Sequence, residues 1–318
     1  MNRQSVLKGM SIAAAAVMVG LGVTACSIDE QPAESAEGTI TIGTLRGQPH
    51  LYQPYFYEQF APEGTEVEIV LFDSSPDIKN AVVSGSVDFG ITGVPSALAG
   101  ISQGEAIKVI ASAADGGSNL VGNDEIQTLD DLVGATVGYP QGSSQEILLR
   151  LTLEGAGIDI NDLTLVNLPF SDMATAFAGG SIDAFLSAEL GPSTAMQNGA
   201  HIIASPYDTP VGRVNIGLIT SDDLIASDPE LVQSVVDMHT ESVDYMLANT
   251  SEWADGLVET FGLDQAVVDT AIENVWLRHD LDEEYQTQVT ALAEQMKLLT
   301  TIQEVPAVED IFDTQFVD

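Results

Sequence analysis

The sequence predicts an α/β fold built as two similar lobes with a helical C-terminal region, and three observations lead there. From Thr39 to Ala204 short β-branched runs alternate with short helical segments, the pattern of sheets covered by helices. Gly85-Ser86-Val87-Asp88 reappears as Gly180-Ser181-Ile182-Asp183, Pro95-Ser96 as Pro192-Ser193, and Ile110-Ala111-Ser112 as Ile203-Ala204-Ser205, at offsets of 95, 97 and 93 residues. After Asp222 apolar residues recur at helical spacing instead. A repeat this long is no stacked solenoid. Two lobes of like construction suit a chain of 318 residues, two similar units inside one sheet being the plainer alternative.

The elements follow in order. Thr39–Leu45 (TITIGTL) alternates and is β-branched, so it reads as a strand. The aromatic segment Pro49–Phe60 reads as a helix and Val67–Phe72 as the second strand. Pro76–Ser84 is a short helix, with Pro in its first turn and Gly85 placed to end it. Strand Val87–Thr92, helix Pro95–Gln103 and strand Lys108–Ala113 come next. Thr128 and Asp131 have the spacing of a capping pair that opens a short helix. There follow strand Ala135–Tyr139, helix Ser143–Glu154, strand Thr164–Leu168, helix Asp172–Ala178, strand Ala184–Ser187, helix Ser193–Gln197 and strand His201–Ala204. Such alternation implies largely parallel sheets. In the tail, Val232, Val235, Val236, His239, Val243, Met246 and Leu247 form one helical stripe, and Tyr285, Val289, Leu292, Met296 and Leu299 another. His239 falls within the first stripe and reads as a core histidine.

The N-terminus addresses the chain. Arg3 and Lys8 precede an uncharged stretch from Gly9 to Ala25, the form of a secretory signal, here residues 1–25. It is short and rich in Ala and Gly for a membrane anchor, which needs about 20 strongly apolar residues. The single cysteine, Cys26, follows Val23-Thr24-Ala25, which resembles a bacterial lipobox, and that resemblance implies cleavage before Cys26 and lipid on its thiol. Residues 26–38, polar and acidic, read as a flexible tether holding a folded domain at a membrane surface. Lipid on Cys26 puts the domain at the cell membrane, facing the extracellular side or periplasm. One cysteine also leaves nothing for disulfides or cysteine-based metal sites.

Composition narrows the partners. Lys+Arg total 9 against 48 Asp+Glu, a formal charge of -39, so nucleic acid and anionic lipid are poor partners. Any anionic ligand must be small and held locally. In open α/β sheets, ligands sit beyond the carboxyl ends of strands. Those ends place Arg46, then Ser74 and Ser75 after Asp73, then Thr92 and Gly93, then Gly142, Ser143 and Ser144, then Glu189, around one region. Small hydroxyl and Gly residues at helix starts expose backbone N–H groups that suit an oxyanion, and ordinary N-capping prefers the same residues. Arg46 and Arg213 are the candidate cations among the seven that follow Cys26. Asp73, Asp77 and Glu189 would instead receive an amine or a ring N–H. No nucleophile elbow, P-loop, zinc helix or dinucleotide fingerprint is present, and the four histidines lack metal-ligand spacing. The residues therefore point to no enzyme, no cofactor and no metal, and give no reason to expect more than a monomer.

These features resemble the ABC-transporter solute-binding proteins of the aliphatic sulfonate, taurine and nitrate type, a group that includes binders of thiamine-pyrimidine precursors. The matching residues are Ile42-Gly43, Gly85 through Gly90, Thr92 through Pro95, Leu129 through Gly134, Gly142-Ser143, Gly180 through Phe185, Glu189 and Asp228-Pro229-Glu230. The resemblance implies a type II-like periplasmic-binding-protein fold with two crossing strands as hinge, lobe 1 from 39–114 and 206–318 and lobe 2 from 115–205. A small solute would bind between the lobes, which then dock on a membrane permease driven by a separate ATPase. The family's Ser/Ala-Gly-Pro after the second strand is here Asp73-Ser74-Ser75-Pro76, and the aromatic residue before the acidic-Pro pair is replaced in Ser187-Ala188-Glu189-Leu190-Gly191-Pro192. An enzyme on the same fold is one rival, but the pyrimidine synthases among its relatives need a cysteine-rich segment. A ligand sensor with a separate receptor is the other.

Overall fold

The computed structural model describes residues 38–317; the signal, Cys26 and residues 26–37 of the tether lie outside them. The first sheet opens with β1 (Thr39–Leu45), β2 (Glu66–Phe72), α1 (Ser75–Val83), β3 (Phe89–Gly93), α2 (Val94–Ile101) and β4 (Ile107–Gly116). The chain then builds a second sheet from β5 (Ser118–Gly122), β6 (Thr136–Tyr139), α3 (Ser144–Gly155), β7 (Thr164–Asn167), α4 (Met173–Ala178), β8 (Ala184–Ala188), α5 (Gly191–Gln197) and β9 (His201–Ala204). It returns to the first sheet through β10 (Val214–Ser221) and finishes in α6 (Asp222–Ser227), α7 (Pro229–Ala248), α8 (Thr250–Phe261), α9 (Gln265–Ile272), β11 (Val275–Leu277), α10 (Glu283–Leu298) and α11 (Val308–Ile311). The strand orders are β11-β4-β10-β3-β1-β2 and β7-β6-β8-β5-β9.

The sheets are mixed, which corrects the expectation of largely parallel ones. β1 runs parallel to β2 and β3, and β6 to β7 and β8. β10 enters antiparallel between β3 and β4, and β5 antiparallel between β8 and β9. Each of these strands carries the chain into a sheet from the other one, and so runs against its neighbours. β5, β10 and β11 are absent from the elements read off the sequence. The aromatic segment is not one helix but two 3-10 pieces, Pro49–Leu51 and Gln53–Gln59. Pro49 and Pro54 lack the N–H that a continuous ladder needs. The tighter turn brings residues three apart into register, and Tyr52 stacks on Tyr55 with centroids 4.3 Å apart.

The internal echo has a physical role that is the same in both sheets. Gly85 and Gly180 adopt φ of +70° and +68°, where glycine is favoured, and end the preceding helices. Asp88 then accepts from the backbone N of Thr41 at 2.8 Å, and Asp183 from that of Thr136 at 2.8 Å. The next residues pair in matching register, Phe89 with Ile42 and Ala184 with Val137. Each aspartate thus pins a helix–strand unit to the start of the strand it joins.

Apolar packing runs across both sheets. One core joins Leu98 of α2 and Tyr285 and Leu292 of α10 to Ile147 and Leu151 of α3 and Val137 of β6. A second lies on the other face of the first sheet, where Val235, Val236 and Val243 of α7 meet Tyr57, Phe89 and Ile91. His239 is buried there, its ring nitrogens 2.8 Å from the Tyr57 hydroxyl and 2.7 Å from the Ser112 carbonyl. Among the described residues no helix is long and apolar enough to cross a membrane.

Candidate functional site

A cavity of about 420 Å³ opens between the two sheets. One wall is the β2–α1 junction, Asp73 to Pro76; the other is the β6–α3 turn, Pro140 to Ser143, with Asn167 to Phe170 after β7. Of the residues named from the sequence, Asp73, Ser74, Ser75, Gly142 and Ser143 line it.

The two helix starts that meet there differ. Ser74 caps α1, its Oγ accepting from the Asp77 N–H at 3.3 Å and donating to the Asp77 carboxylate at 2.6 Å. Ser143 stands at the N-cap of α3 but its side chain caps nothing; its Oγ is turned to the Pro140 carbonyl, to which it donates at 2.6 Å. The neighbouring Gly142 N–H is taken by Glu146 at 2.8 Å, and Glu146 is fixed in turn by Arg150. A 12-residue helix therefore presents a start with no side-chain cap to the cavity. Its leading N–H groups and dipole favour negative charge there.

The remaining named residues lie off this wall. Thr92 donates to the Ser75 carbonyl at 3.0 Å, and Gly93 donates to Ser75 Oγ at 3.4 Å, so both support the wall from behind. A side chain on Gly93 would stand 3.2 Å from Ser75 Oγ and 3.4 Å from Ser144 Oγ; its absence lets serines of the two sheets approach. Ser144 is buried and donates to the Asn215 carbonyl at 3.3 Å. Arg46, 54% exposed, pairs with the cavity residue Asp73 at 3.4 Å. Arg213 lies over the ring of Trp276, 4.0 Å from its centroid. Among the described residues no cation lines the cavity. Lys79, Arg150 and Arg278 are held by carboxylates elsewhere. Glu189 is fully buried, and its carboxylate accepts from Asn119, Ser193 and Asn274. Burial raises its carboxyl group above the ordinary range, against the pull of those donors.

Sequence reasoning missed Asn167, Leu168, Pro169 and Phe170. The signal was present, since Thr164–Leu168 reads as a strand and the same strand-end rule applies to it. Asn167 Oδ1 accepts from the Gln141 N–H at 3.0 Å and joins the two loops. Apart from this lining, Gln48 Oε1, His50 Nδ1, Ser187 Oγ and Asn215 Oδ1 are buried without a hydrogen-bond partner. The Asn215 amide donates to the Gly116 carbonyl, and the His50 ring lies against Gly117. Among the described residues no three His, Cys, Asp or Glu side chains converge to hold a metal ion.

The model of the family described as NMT1/THI5 like matches residues 57–252. A binding protein of Brucella abortus is 27% identical over 214 residues, covering 66% of this chain and 67% of its own. The formylaminopyrimidine-binding protein of Halalkalibacterium halodurans is 24% identical over 200 residues, covering 61% of this chain and 60% of its own. In structure, the alkanesulfonate-binding protein of Xanthomonas axonopodis pv. citri, bound to MOPS, superimposes with a TM-score of 0.74 at 20% identity. That match covers 86% of this chain and 98% of the other, and the fold the two share is that of the periplasmic binding proteins.

Proposed function

The chain belongs to the NMT1/THI5-like family, and on that premise we propose that it is the extracytoplasmic solute-binding subunit of an ABC importer. It captures a small solute of the sulfonate, taurine or nitrate class between two lobes and delivers it to a membrane permease served by a separate ATPase. It binds and releases without chemical change, as a monomer held at the membrane by lipid on Cys26. Lobe 1 comprises 39–114 and 206–318, and lobe 2 comprises 115–205. The change of sheet at Gly117 and again between β9 and β10 supports this division. The observation that carries the reading is the α3 start, open to the cavity and free of a side-chain cap.

A second reading has its own support. Asp73 lines the cavity beside Gln141, Asn167 and the ring of Phe170, and among the described residues no cation does. Such a lining receives a ring N–H or an amine, as in a pyrimidine precursor, and the formylaminopyrimidine-binding relative fits it. Thermal unfolding against taurine, alkanesulfonates, MOPS, nitrate, thiamine and formylaminopyrimidine tests both. A ligand at 100 times its dissociation constant adds about 2.7 kcal/mol, a shift of several degrees. Under the oxyanion reading a sulfonate shifts the melting temperature, and Asp73→Asn enlarges the shift by removing a like charge. A pyrimidine shift reduced by Asp73→Asn moves the assignment to the second reading. No shift from any member overturns both ligand classes.

A further inference from the structure

We infer that Glu189 is a positioning residue, tying the two sheets together through Asn274 rather than touching the solute. Glu189 follows β8 in the second sheet and has no exposed surface. Its Oε2 accepts from the Ser193 N–H at 3.2 Å and the Ser193 hydroxyl at 2.8 Å, both in its own sheet's α5. Its Oε1 accepts from Asn119 Nδ2 of β5 at 2.8 Å, also within the second sheet, and from Asn274 Nδ2 at 3.2 Å.

Asn274 comes from the other side. It stands immediately before β11, which pairs with β4 in the first sheet. Every polar contact it makes to the crossing points the same way. Its carbonyl accepts from the Gly117 N–H at 2.7 Å, and its amide reaches the Ser118 carbonyl at 3.2 Å besides Glu189. Gly116 and Gly117, at φ +75° and +71°, are the residues through which β4 passes into β5. One side chain thus grips the crossing and, one bond further on, a buried carboxylate of the second sheet. Four donors converge on this one carboxyl group, and Asn274 supplies the one that comes from the first sheet. Bending at the crossing swings Glu189 relative to Asn274, so the bond weights the arrangement in which the sheets face each other. The geometry does not depend on what the solute is; only the consequence, altered solute affinity, rests on the binding reading.

The test is a nitroxide pair at Val83→Cys and Val133→Cys in the full chain carrying Cys26→Ser, where they are the only thiols. Both positions are exposed, one beside each sheet. Pulsed dipolar spectroscopy without added solute should show a longer-distance population in Asn274→Ala. Asn119→Ala removes a bond to the same oxygen from within the second sheet and should leave the distance distribution of the parent. Glu189→Gln keeps an amide oxygen for Asn274 and should fall between parent and Asn274→Ala. Urea midpoints of the two alanine variants should drop alike, which separates lost stability from lost positioning. An Asn274→Ala distribution that superimposes on the parent, or an equal shift in Asn119→Ala, overturns the tie. A distance shift in Asn274→Ala with no solute binding by the parent leaves the tie standing and removes the transport reading instead.

Discussion

Gly142→Val is expected to lower solute affinity at least tenfold while the chain still folds. Gly142 has φ +76°, and a Cβ there would stand 3.0 Å from Pro76 Cγ on the opposite wall of the cavity. Two effects combine. A β-branched residue in the left-handed region costs about 1–2 kcal/mol. The added methyls must also push the Pro76 ring, which sits in the rigid first turn of α1. The easiest relief is separation of the two walls, which withdraws the α3 start from the solute. About 1.4 kcal/mol of lost closure corresponds to the tenfold change. Calorimetric titration with whichever of taurine, MOPS or formylaminopyrimidine stabilises the parent reads it directly. Unaltered affinity in a folded Gly142→Val chain would show that the walls need not approach.

Stability should fall steeply as pH drops from 6.5 towards 5, because two buried histidines resist protonation in the native state. Burial pushes His50 down to about 3 and His239 down to about 4. In the unfolded chain both titrate near 6.5. Between 6.5 and 4 the unfolded chain therefore binds protons that the native one does not, and native stability declines on acidification. Each histidine contributes about 1.4 kcal/mol per pH unit in that window, so the pair removes about 4 kcal/mol by pH 5. Glu189 and Asp115 act in the opposite sense, since burial raises both carboxyls and the native state takes up their protons first. Urea unfolding at pH 7, 6 and 5 measures the slope. In His50→Gln the slope over that range should fall to about half, whatever the variant's absolute stability. A flat profile in the parent, or an unchanged slope in His50→Gln, contradicts the assignment.

Much of this architecture was legible because local chemistry and global fold agree. The β1 alternation, the capping pair at Thr128 and Asp131, and the echoed Gly-Ser-Val/Ile-Asp units each form what their residues favour. The strands that escaped notice are those whose role is set by the sheets they join. β5 (Ser118–Gly122) is short and Gly-ended, and β11 has three residues; both exist because a partner strand offers its edge. The site was half legible. Strand ends located Ser74, Ser75, Gly142 and Ser143, since the rule concerns topology and topology follows from alternation. Glu189 follows a strand too and Arg213 stands just before one, but side-chain direction decides what they touch. One turns into a buried amide and hydroxyl network, the other onto the face of Trp276. The composition of the chain also bears on the site. Among the described residues Arg46, Lys79, Arg150 and Arg278 are drawn into ion pairs with the surrounding acids, which leaves backbone N–H groups as the positive partial charges at the cavity.

Seating of a solute between the sheets at the start of α3 can be read directly from nitrogen-edited spectra of the isotope-labelled chain during titration with taurine, MOPS and formylaminopyrimidine. At least one of them should move the backbone amides of Ser143, Ser144 and Gln145 most, with Asn167 and Ser75 following from the other loops. Largest shifts elsewhere, for example in the groove beside Lys108 and Asp310, or no shift with any of the three, would contradict it.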